Sequence, residues 1–371
     1  MPSIEMTSPC MECKNEESIL TIRRRALCSN CFQRFVAYKV IRRIEHYKPT
    51  INNNPIPQIL LPLSLGVSSS VLLHIIDSVT QVRRRKPNTN KAYDLHVLVV
   101  DPTSLSPSDR TYETNFLAAK TNFPSATTFT KIPFHSIFEY APDMKQIMLE
   151  YAGPGFVDDA SRSNEERLTA FRSTITSATS RKDLDSVLLT RLVVAYAKHI
   201  ACEAILWGDS DSRLAAKTLA GAAKGRGASL TWQVSDGMSP WGVRFEFPLR
   251  DLSKPELLQY AGISELLEGV IIPEEPISDN ILTKNLSIDD LMMRYVVTQG
   301  EKYRGVMANV SRTANKLEPA KGVDDQFCSL CGALTGNVKG NDAGLTVASQ
   351  FGNSQGSFCY GCIRSRPEVI P

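Results

Sequence analysis

Hydrophobic residues in the middle of the chain follow two alternating patterns. Short apolar runs predict five strands, at residues 59–64, 95–101, 127–133, 204–208 and 243–248. Apolar residues spaced three and four positions apart predict six helices, at residues 69–82, 109–122, 164–176, 184–201, 212–223 and 254–260. Strands that alternate with helices are typical of a parallel sheet covered on both faces. We therefore predict a doubly wound α/β domain over residues 57–275.

Polar and proline-rich segments separate this domain from the rest of the chain. Residues 49–57 contain three asparagines and three prolines, a composition typical of a linker. Residues 1–48 are predicted to form an N-terminal cysteine knuckle with a basic helix at 32–47. After the α/β domain we predict a helical linker region at 276–326 and a C-terminal cysteine unit at 327–371. A stretch rich in Gly, Asn and Ser, 336–356, interrupts that last unit.

Eight of the nine cysteines form two groups, each built from two Cys-x-x-Cys pairs. Two thiolates on such a tight turn can occupy adjacent corners of a tetrahedron, with Zn–S distances near ~2.3 Å. Four thiolates leave no open coordination position, so we predict two structural Zn²⁺ sites, with an iron–sulfur cluster as the alternative. The predicted ligands are Cys10, Cys13, Cys28 and Cys31 at one site and Cys328, Cys331, Cys359 and Cys362 at the other. Cys202 lies in an apolar segment and is predicted to be a core thiol.

Positive charge is concentrated near the N-terminal cysteines, although the net charge of the chain is only +3. Arg23, Arg24 and Arg25 form one cluster, and Arg42 and Arg43 form another. Such clusters can neutralise phosphates, so these five residues are the candidate contacts to RNA. The alternative is an ordinary solvated surface.

The chain shows neither an apolar run of the roughly 20 residues that cross a bilayer nor a basic stretch followed by an apolar run at its start. The sequence therefore predicts a protein with no membrane contact and a cytoplasmic location.

A turn rich in small residues follows the first predicted strand and reads Leu63-Ser64-Leu65-Gly66-Val67-Ser68-Ser69-Ser70. A turn of this kind that opens a helix can present backbone N–H groups to phosphates. It resembles the loop of the adenylating ATP pyrophosphatases, whose pattern is Ser-Gly-Gly-x-Asp-Ser. The match makes Ser64, Gly66, Ser68 and Ser69 the candidate residues of a degenerate nucleotide loop. Leu65 and Ser68 replace the first glycine and the aspartate, and the alternative is a simple strand-to-helix turn capped by Ser.

With this loop between two four-cysteine groups, nearly the whole chain resembles the tRNA 2-thiolation enzymes. Their ATP pyrophosphatase domain carries a zinc ribbon at each end. The stretch from Gly208 to Ala215, Gly-Asp-Ser-Asp-Ser-Arg-Leu-Ala, identifies the chain as a member of the cytoplasmic tRNA 2-thiolation protein 2 family. The resemblance implies a subunit of the cytosolic complex required for 2-thiolation of the wobble uridine, in the formation of 5-methoxycarbonylmethyl-2-thiouridine. It also implies three partners: a catalytic thiolation subunit in a heterodimer, tRNA, and indirectly a thiocarboxylated ubiquitin-like modifier.

Departures from the active enzymes indicate what the chain lacks. Only Gly208 matches their Gly-His-Asn-x-Asp-Asp turn, and Ser177 to Ser180 stand where they have a cysteine pair. Glu274-Glu275-Pro276-Ile277 replaces a Glu-Glu-Cys-Pro-like segment. Sulfur transfer in those enzymes needs thiolates, so we expect a non-catalytic subunit with no catalytic residue of its own and no assured ATP site. The alternatives are an independent ATP-dependent tRNA sulfurtransferase and a zinc-ribbon nucleic-acid adaptor.

Overall fold

The N-terminal part of the chain is a hairpin followed by a helix. The computed structural model describes residues 8–22, 24–46, 56–85, 93–101, 111–274, 286–318, 327–335 and 358–367. Strands β1 (Leu20–Ile22) and β2 (Arg25–Leu27) pair in antiparallel fashion, and helix α1 (Ser29–His46) follows them. The basic helix predicted at 32–47 is therefore present and begins slightly earlier. The boundaries predicted near residues 48, 275 and 326 lie outside the described residues, so the four-part division of the chain stays a prediction.

A six-stranded sheet forms the centre of the structure. Its strands are β3 (Gln58–Pro62), β4 (Asp94–Asp101), β5 (Thr128–Pro133), β6 (Ala204–Leu206), β7 (Gly237–Met238) and β8 (Arg244–Glu246). They lie in the order β5-β4-β3-β6-β8-β7, and all neighbours pair parallel except β7, which runs antiparallel to β8 at the edge. All five predicted strands and the doubly wound α/β fold are confirmed. The sequence does not predict β7, because two residues are too short to show an alternation.

Helices cover both faces of the sheet. They are α2 (Val67–Arg84), α3 (Thr111–Asn122), α4 (Ile137–Tyr140), α5 (Met144–Ala152), α6 (Asn164–Ser173), α7 (Ala178–His199), α8 (Asp211–Ala223), α9 (Gly227–Gln233), α10 (Lys254–Gly262), α11 (Ile288–Lys302), α12 (Arg304–Ala314) and α13 (Tyr360–Arg364). The six predicted helices correspond to α2, α3, α6, α7, α8 and α10. The unpredicted α9 begins with Gly and contains Ser and Thr, which are weak helix formers, so packing rather than propensity maintains it.

Alternate residues of β3 point to opposite faces of the sheet and join different cores. Leu60 belongs to the core that also contains residues of α7 and the C-terminal cysteines. Ile59 and Leu61 belong to the core that contains residues of α2 and the N-terminal cysteines. Each four-cysteine group is therefore attached to its own face of one central sheet, and β3 lies between them.

The strand order reverses between β3 and β6, which run parallel to each other. In open α/β sheets a crevice forms at such a switch point, outside the carboxyl ends of the strands. The loop after β6 passes very close to the first turn of α2, because a Cβ atom on Gly208 would lie 2.7 Å from the Cα atom of Ser69. Only glycine fits at this crossing. Packing is therefore sufficient to explain why position 208, which also matches the enzyme turn, is a glycine.

Replacing Gly208 with alanine is expected to lower the free energy of unfolding by about 1–3 kcal/mol, because the added methyl group meets backbone that cannot move aside cheaply. Gly262→Ala is the matched control, since a Cβ atom at Gly262 would meet nothing within 4 Å. Urea unfolding of the full chain measures both variants. Equal midpoints for Gly208→Ala and the wild type would contradict the close approach described above.

Candidate metal centres, nucleotide loop and basic groove

The N-terminal cysteine group is formed by the turn before β1 and by the start of α1. The Sγ atoms of Cys10, Cys13, Cys28 and Cys31 all lie within 4.8 Å of one another. The backbone N–H of Cys31 points to the Sγ atom of Cys28 at 3.5 Å, as expected on a metal knuckle. The backbone N–H of Cys13 lowers the pKa of the Cys10 thiol to about 6, which favours the thiolate form that metals bind. The four predicted ligands are brought together.

The C-terminal group is assembled from two segments that are distant in sequence. Cys328 and Cys331 lie on one turn, whereas Cys359 and Cys362 lie at the start of α13. The Sγ atoms of Cys328 and Cys362 are 3.6 Å apart, and those of Cys331 and Cys359 are 3.5 Å apart. All four Sγ atoms lie within 4.8 Å of one another, and all four thiols are free of disulfides. The chemistry of this donor set suits one metal ion held by four thiolates.

A buried arginine neutralises part of the charge at the C-terminal group. The Nη1 atom of Arg226 lies 3.4 Å from the Sγ atom of Cys362, and its Nε atom donates to the carboxylate of Asp183 at 2.7 Å. Burial disfavours the charged guanidinium, but Cys362 and Asp183 outweigh it and raise the pKa of Arg226. Lys224 and the hydroxyl of Ser365 also contact Asp183, at 2.9 and 3.0 Å. Sequence reasoning missed this network, because neither Arg226 nor Asp183 belongs to a motif.

Replacing Arg226 with methionine is expected to destabilise the fold by about 3–5 kcal/mol, because it leaves the Asp183 carboxylate buried without its main partner. The matched control is Arg364→Met, since Arg364 lies on α13 nearby but is exposed and, among the described residues, donates to the carbonyl of Ala223 at 3.2 Å. Chemical denaturation of the metal-loaded protein gives both values. A loss no larger for Arg226→Met than for Arg364→Met would show that the buried pair contributes little.

The candidate nucleotide loop forms a tight, hydrogen-bonded turn, although its sequence departs from the enzyme pattern. The hydroxyls of Ser64 and Ser69 lie 3.0 Å apart, and the Ser69 hydroxyl also donates to the carbonyl of Gly66 at 3.2 Å. Leu65 replaces the first glycine of the pattern and has a φ of 59°, in the left-handed region that glycine favours. Its side chain is fully buried. Burial of the leucine offsets the roughly 1–2 kcal/mol of backbone strain.

The surroundings of this loop are occupied by structural side chains. The Lys254 ammonium pairs with the Glu274 carboxylate at 2.7 Å, and that carboxylate lies 3.7 Å from where a Cβ atom of Gly66 would be. The Lys254 ammonium is thus engaged by a carboxylate of the chain itself. Asp209, which follows Gly208, is paired with Lys217 at 2.6 Å. Ser68 is half-buried in the first turn of α2.

The positions that replace the enzymes' cysteines have structural roles where they are described. The hydroxyl of Ser177 accepts from the backbone N–H of Ser180 and so caps α7. The hydroxyl of Thr179 accepts from the backbone N–H of Ile288 at 3.1 Å, which joins α7 to α11. Residues 275–277 lie outside the described residues.

A basic groove of about 960 Å³ runs along α1. Two acidic residues, Glu12 and Asp251, line it together with six basic residues. The basic residues are Arg25, Arg34, Lys39, Arg42, Arg43 and Arg312. The excess of positive charge makes the groove a candidate nucleic-acid interface.

The predicted RNA contacts have different surroundings. Arg42 lines the groove and is exposed, and Arg24 is exposed at the tip of the β1–β2 hairpin. Arg25 lines the groove but pairs with Glu12 at 2.6 Å. Arg43 pairs with Asp251 at 2.7 Å and therefore fastens α1 to the α/β domain. Arg23 lies outside the described residues.

Comparison with known proteins decides the family. A curated protein of Neosartorya fischeri, named cytoplasmic tRNA 2-thiolation protein 2, is 52% identical over 373 residues and covers 100% of both chains. The chain belongs to the cytoplasmic tRNA 2-thiolation protein 2 family. Members from Aspergillus oryzae and Coccidioides immitis are 50% and 44% identical, over 100% and 96% of this chain and 99% and 96% of their own lengths. The family model described as cytoplasmic tRNA 2-thiolation protein 2 matches residues 287–352.

Among solved structures, this family member is similar to the U34-tRNA thiolase NcsA from Methanococcus maripaludis, whose structure contains a 4Fe-4S cluster. The TM-score is 0.57 with 16% sequence identity, over 89% of this chain and 92% of NcsA. At this identity the likeness shows the fold alone, and it agrees with the predicted ATP pyrophosphatase-like architecture. Within the described parts of the chain, we find no helix that is long and apolar enough to cross a membrane.

Proposed function

We propose that this chain is a tRNA-binding, non-catalytic subunit of a cytoplasmic complex that thiolates the wobble uridine of tRNA. It acts as a heterodimer with a catalytic thiolation subunit, which receives sulfur from a thiocarboxylated ubiquitin-like modifier. The product is the 2-thiouridine of 5-methoxycarbonylmethyl-2-thiouridine. Family membership and the thiolase-like fold support the pathway, and the distribution of thiols supports the non-catalytic role.

The distribution of the cysteines is the observation that carries this proposal. Eight of the nine belong to the two four-cysteine groups. The ninth, Cys202, precedes β6 and so lies at the amino end of a parallel strand, opposite the crevice. Burial raises the pKa of Cys202 to about 12, which disfavours the thiolate. No cysteine is therefore placed to carry a persulfide at the crevice.

We further propose that both cysteine groups hold zinc. Four sulfurs at ~2.3 Å from one ion lie about 3.8 Å apart at the corners of a tetrahedron. The Sγ atoms of Cys13 and Cys28 lie 3.8 Å apart, and the two sulfur pairs described above in the C-terminal group lie 3.5 and 3.6 Å apart, which fits this arrangement. A four-iron cluster spreads its cysteine sulfurs more widely, because each sulfur binds a different iron atom. Bound zinc would stabilise each knuckle and leave no position open for chemistry.

The purified chain is expected to contain two zinc ions and no iron, because each group provides four thiolates around a single centre. Cys13→Ser and Cys331→Ser should each remove one zinc ion, whereas Cys202→Ser should remove none. Elemental analysis by plasma mass spectrometry, normalised to protein, measures these ratios. Iron and inorganic sulfide in near-stoichiometric amounts would instead support a cluster.

Cells that lack this chain are expected to lose 2-thiouridine derivatives at the wobble position, because the catalytic partner would lack its tRNA-binding subunit. Mass spectrometry of nucleosides from total tRNA measures the loss, and re-expression of the wild-type chain should reverse it. Expression of a Gly262→Ala variant serves as the control for expression of an altered chain. Unchanged 2-thiouridine would leave the zinc-ribbon adaptor as the better description.

Assays of the chain alone distinguish the proposal from an independent enzyme. A non-catalytic subunit consumes no ATP with tRNA unless the partner is present. Turnover of ATP by the purified chain, dependent on tRNA, would support the sulfurtransferase alternative.

A further inference from the structure

An exposed tyrosine lies in the middle of the basic groove. Tyr38 is 62% exposed and lines the groove together with Arg34 and Arg42. These three residues are four positions apart on α1, so they form one row on the helix surface. The two arginines are separated by about 12 Å along the helix axis, with the ring between them.

Where the structure describes the chain, the contacts that stabilise the fold do not involve the side chains of this row. Lys39 and Arg43 belong to the same helix, but both contact Asp251 and so hold α1 against the α/β domain. Arg34 and Arg42 are exposed and have no ion-pair partner among the described residues. The ring and hydroxyl of Tyr38 likewise contact no aromatic ring or hydrogen-bonding group in the described parts of the chain, whereas the hydroxyl of Tyr260 is buried against His74 at 3.1 Å.

The chemistry of the row fits unpaired RNA. A base stacks on an aromatic ring only when one of its faces is free, and in a duplex the neighbouring base pairs stack on both faces and cover them. The major groove of an RNA duplex is too narrow for side chains to read, so an aromatic ring on a helix gains nothing from duplex RNA. Flanking guanidiniums provide contacts for the phosphates on either side of a stacked base. Arg312 of α12 lines the same groove and adds positive charge from a second helix.

We propose that Tyr38 stacks an unpaired base of bound tRNA while Arg34 and Arg42 contact neighbouring phosphates. The groove along α1 therefore receives a single-stranded segment of RNA rather than a helical stem. This inference rests on the proposed function for the identity of the RNA, but the stacking and the phosphate contacts are tested without the thiolation reaction.

The test compares two RNA probes with the full, metal-loaded chain. One is a fluorescein-labelled single strand of 12 nucleotides, and the other is the same strand paired with its complement. Tyr38→Ala is expected to weaken binding of the single strand about 5- to 150-fold, the equivalent of losing one stacked base at ~1–3 kcal/mol. Binding of the duplex should be unchanged. Tyr38→Phe keeps a ring and should keep the affinity, and Tyr295→Ala, at an exposed tyrosine of α11, is the matched control.

Salt dependence tests the two arginines separately. For a single strand, the slope of log K against log salt is negative, and each lost phosphate contact reduces its magnitude by about 0.7. Arg34→Gln and Arg42→Gln should each show this decrease, whereas Tyr38→Ala should leave the slope unchanged. Arg364→Gln, at an exposed arginine of α13, is the control and should bind RNA like the wild type.

Three results would overturn the inference. Equal losses on single-stranded and duplex RNA would mean that the groove contacts only the phosphate backbone. An unaltered affinity of Tyr38→Ala for both probes would exclude stacking. Unaltered RNA binding combined with loss of the co-purifying catalytic partner would make the row a protein interface. If Tyr38 is required for RNA binding but cells without the chain retain 2-thiouridine, the stacking inference is supported and the proposed function is wrong.

Discussion

The burial of both faces of strand β3 is the constraint on which the rest of the structure depends. Its alternate side chains enter two separate cores, one shared with each four-cysteine group. The two metal knuckles are therefore not independent modules on flexible tethers but the outer layers of one sheet. Arg226 strengthens this arrangement on one face, and the pairing of Arg43 with Asp251 does so on the other. Metal loading at either end should consequently influence the stability of the centre.

The turn at the switch point is well packed although its sequence departs from the enzyme pattern. Leu65 holds a left-handed backbone conformation of the kind that glycine adopts easily, and its buried side chain adds apolar contacts that a glycine would lack. Ser177 uses a hydroxyl to cap a helix at the place where the active enzymes have thiols. The retained features are those that the packing needs. Under the proposed non-catalytic role, the altered positions are those that phosphate binding and sulfur transfer would need.

Local patterns account for what the sequence predicts well. Strands and helices are visible in the spacing of apolar residues, and the metal ligands are visible because a knuckle needs two cysteines close together in the chain. The pairing of Arg226 with Asp183 is invisible to such reasoning, since the two residues belong to different elements and to no motif. The groove is predicted only in part for the same reason. Arg25, Arg42 and Arg43 belong to visible clusters, whereas Arg34 stands alone and Arg312 comes from the other end of the chain.

The contacts that hold α1 against the α/β domain also fix where the basic groove lies relative to the sheet. Asp251, which holds Lys39 and Arg43, follows β8. The adjoining carbonyl of Leu252 accepts the backbone N–H of Asp211, the first residue of α8, the helix that follows β6. The groove is thus anchored at the carboxyl edge of the sheet, the edge on which the crevice opens. An RNA strand held along α1 would enter at a set angle to that edge and could not swing freely. Under the proposed function, this fixed geometry would determine which nucleotide of the bound tRNA comes within reach of the partner's active site.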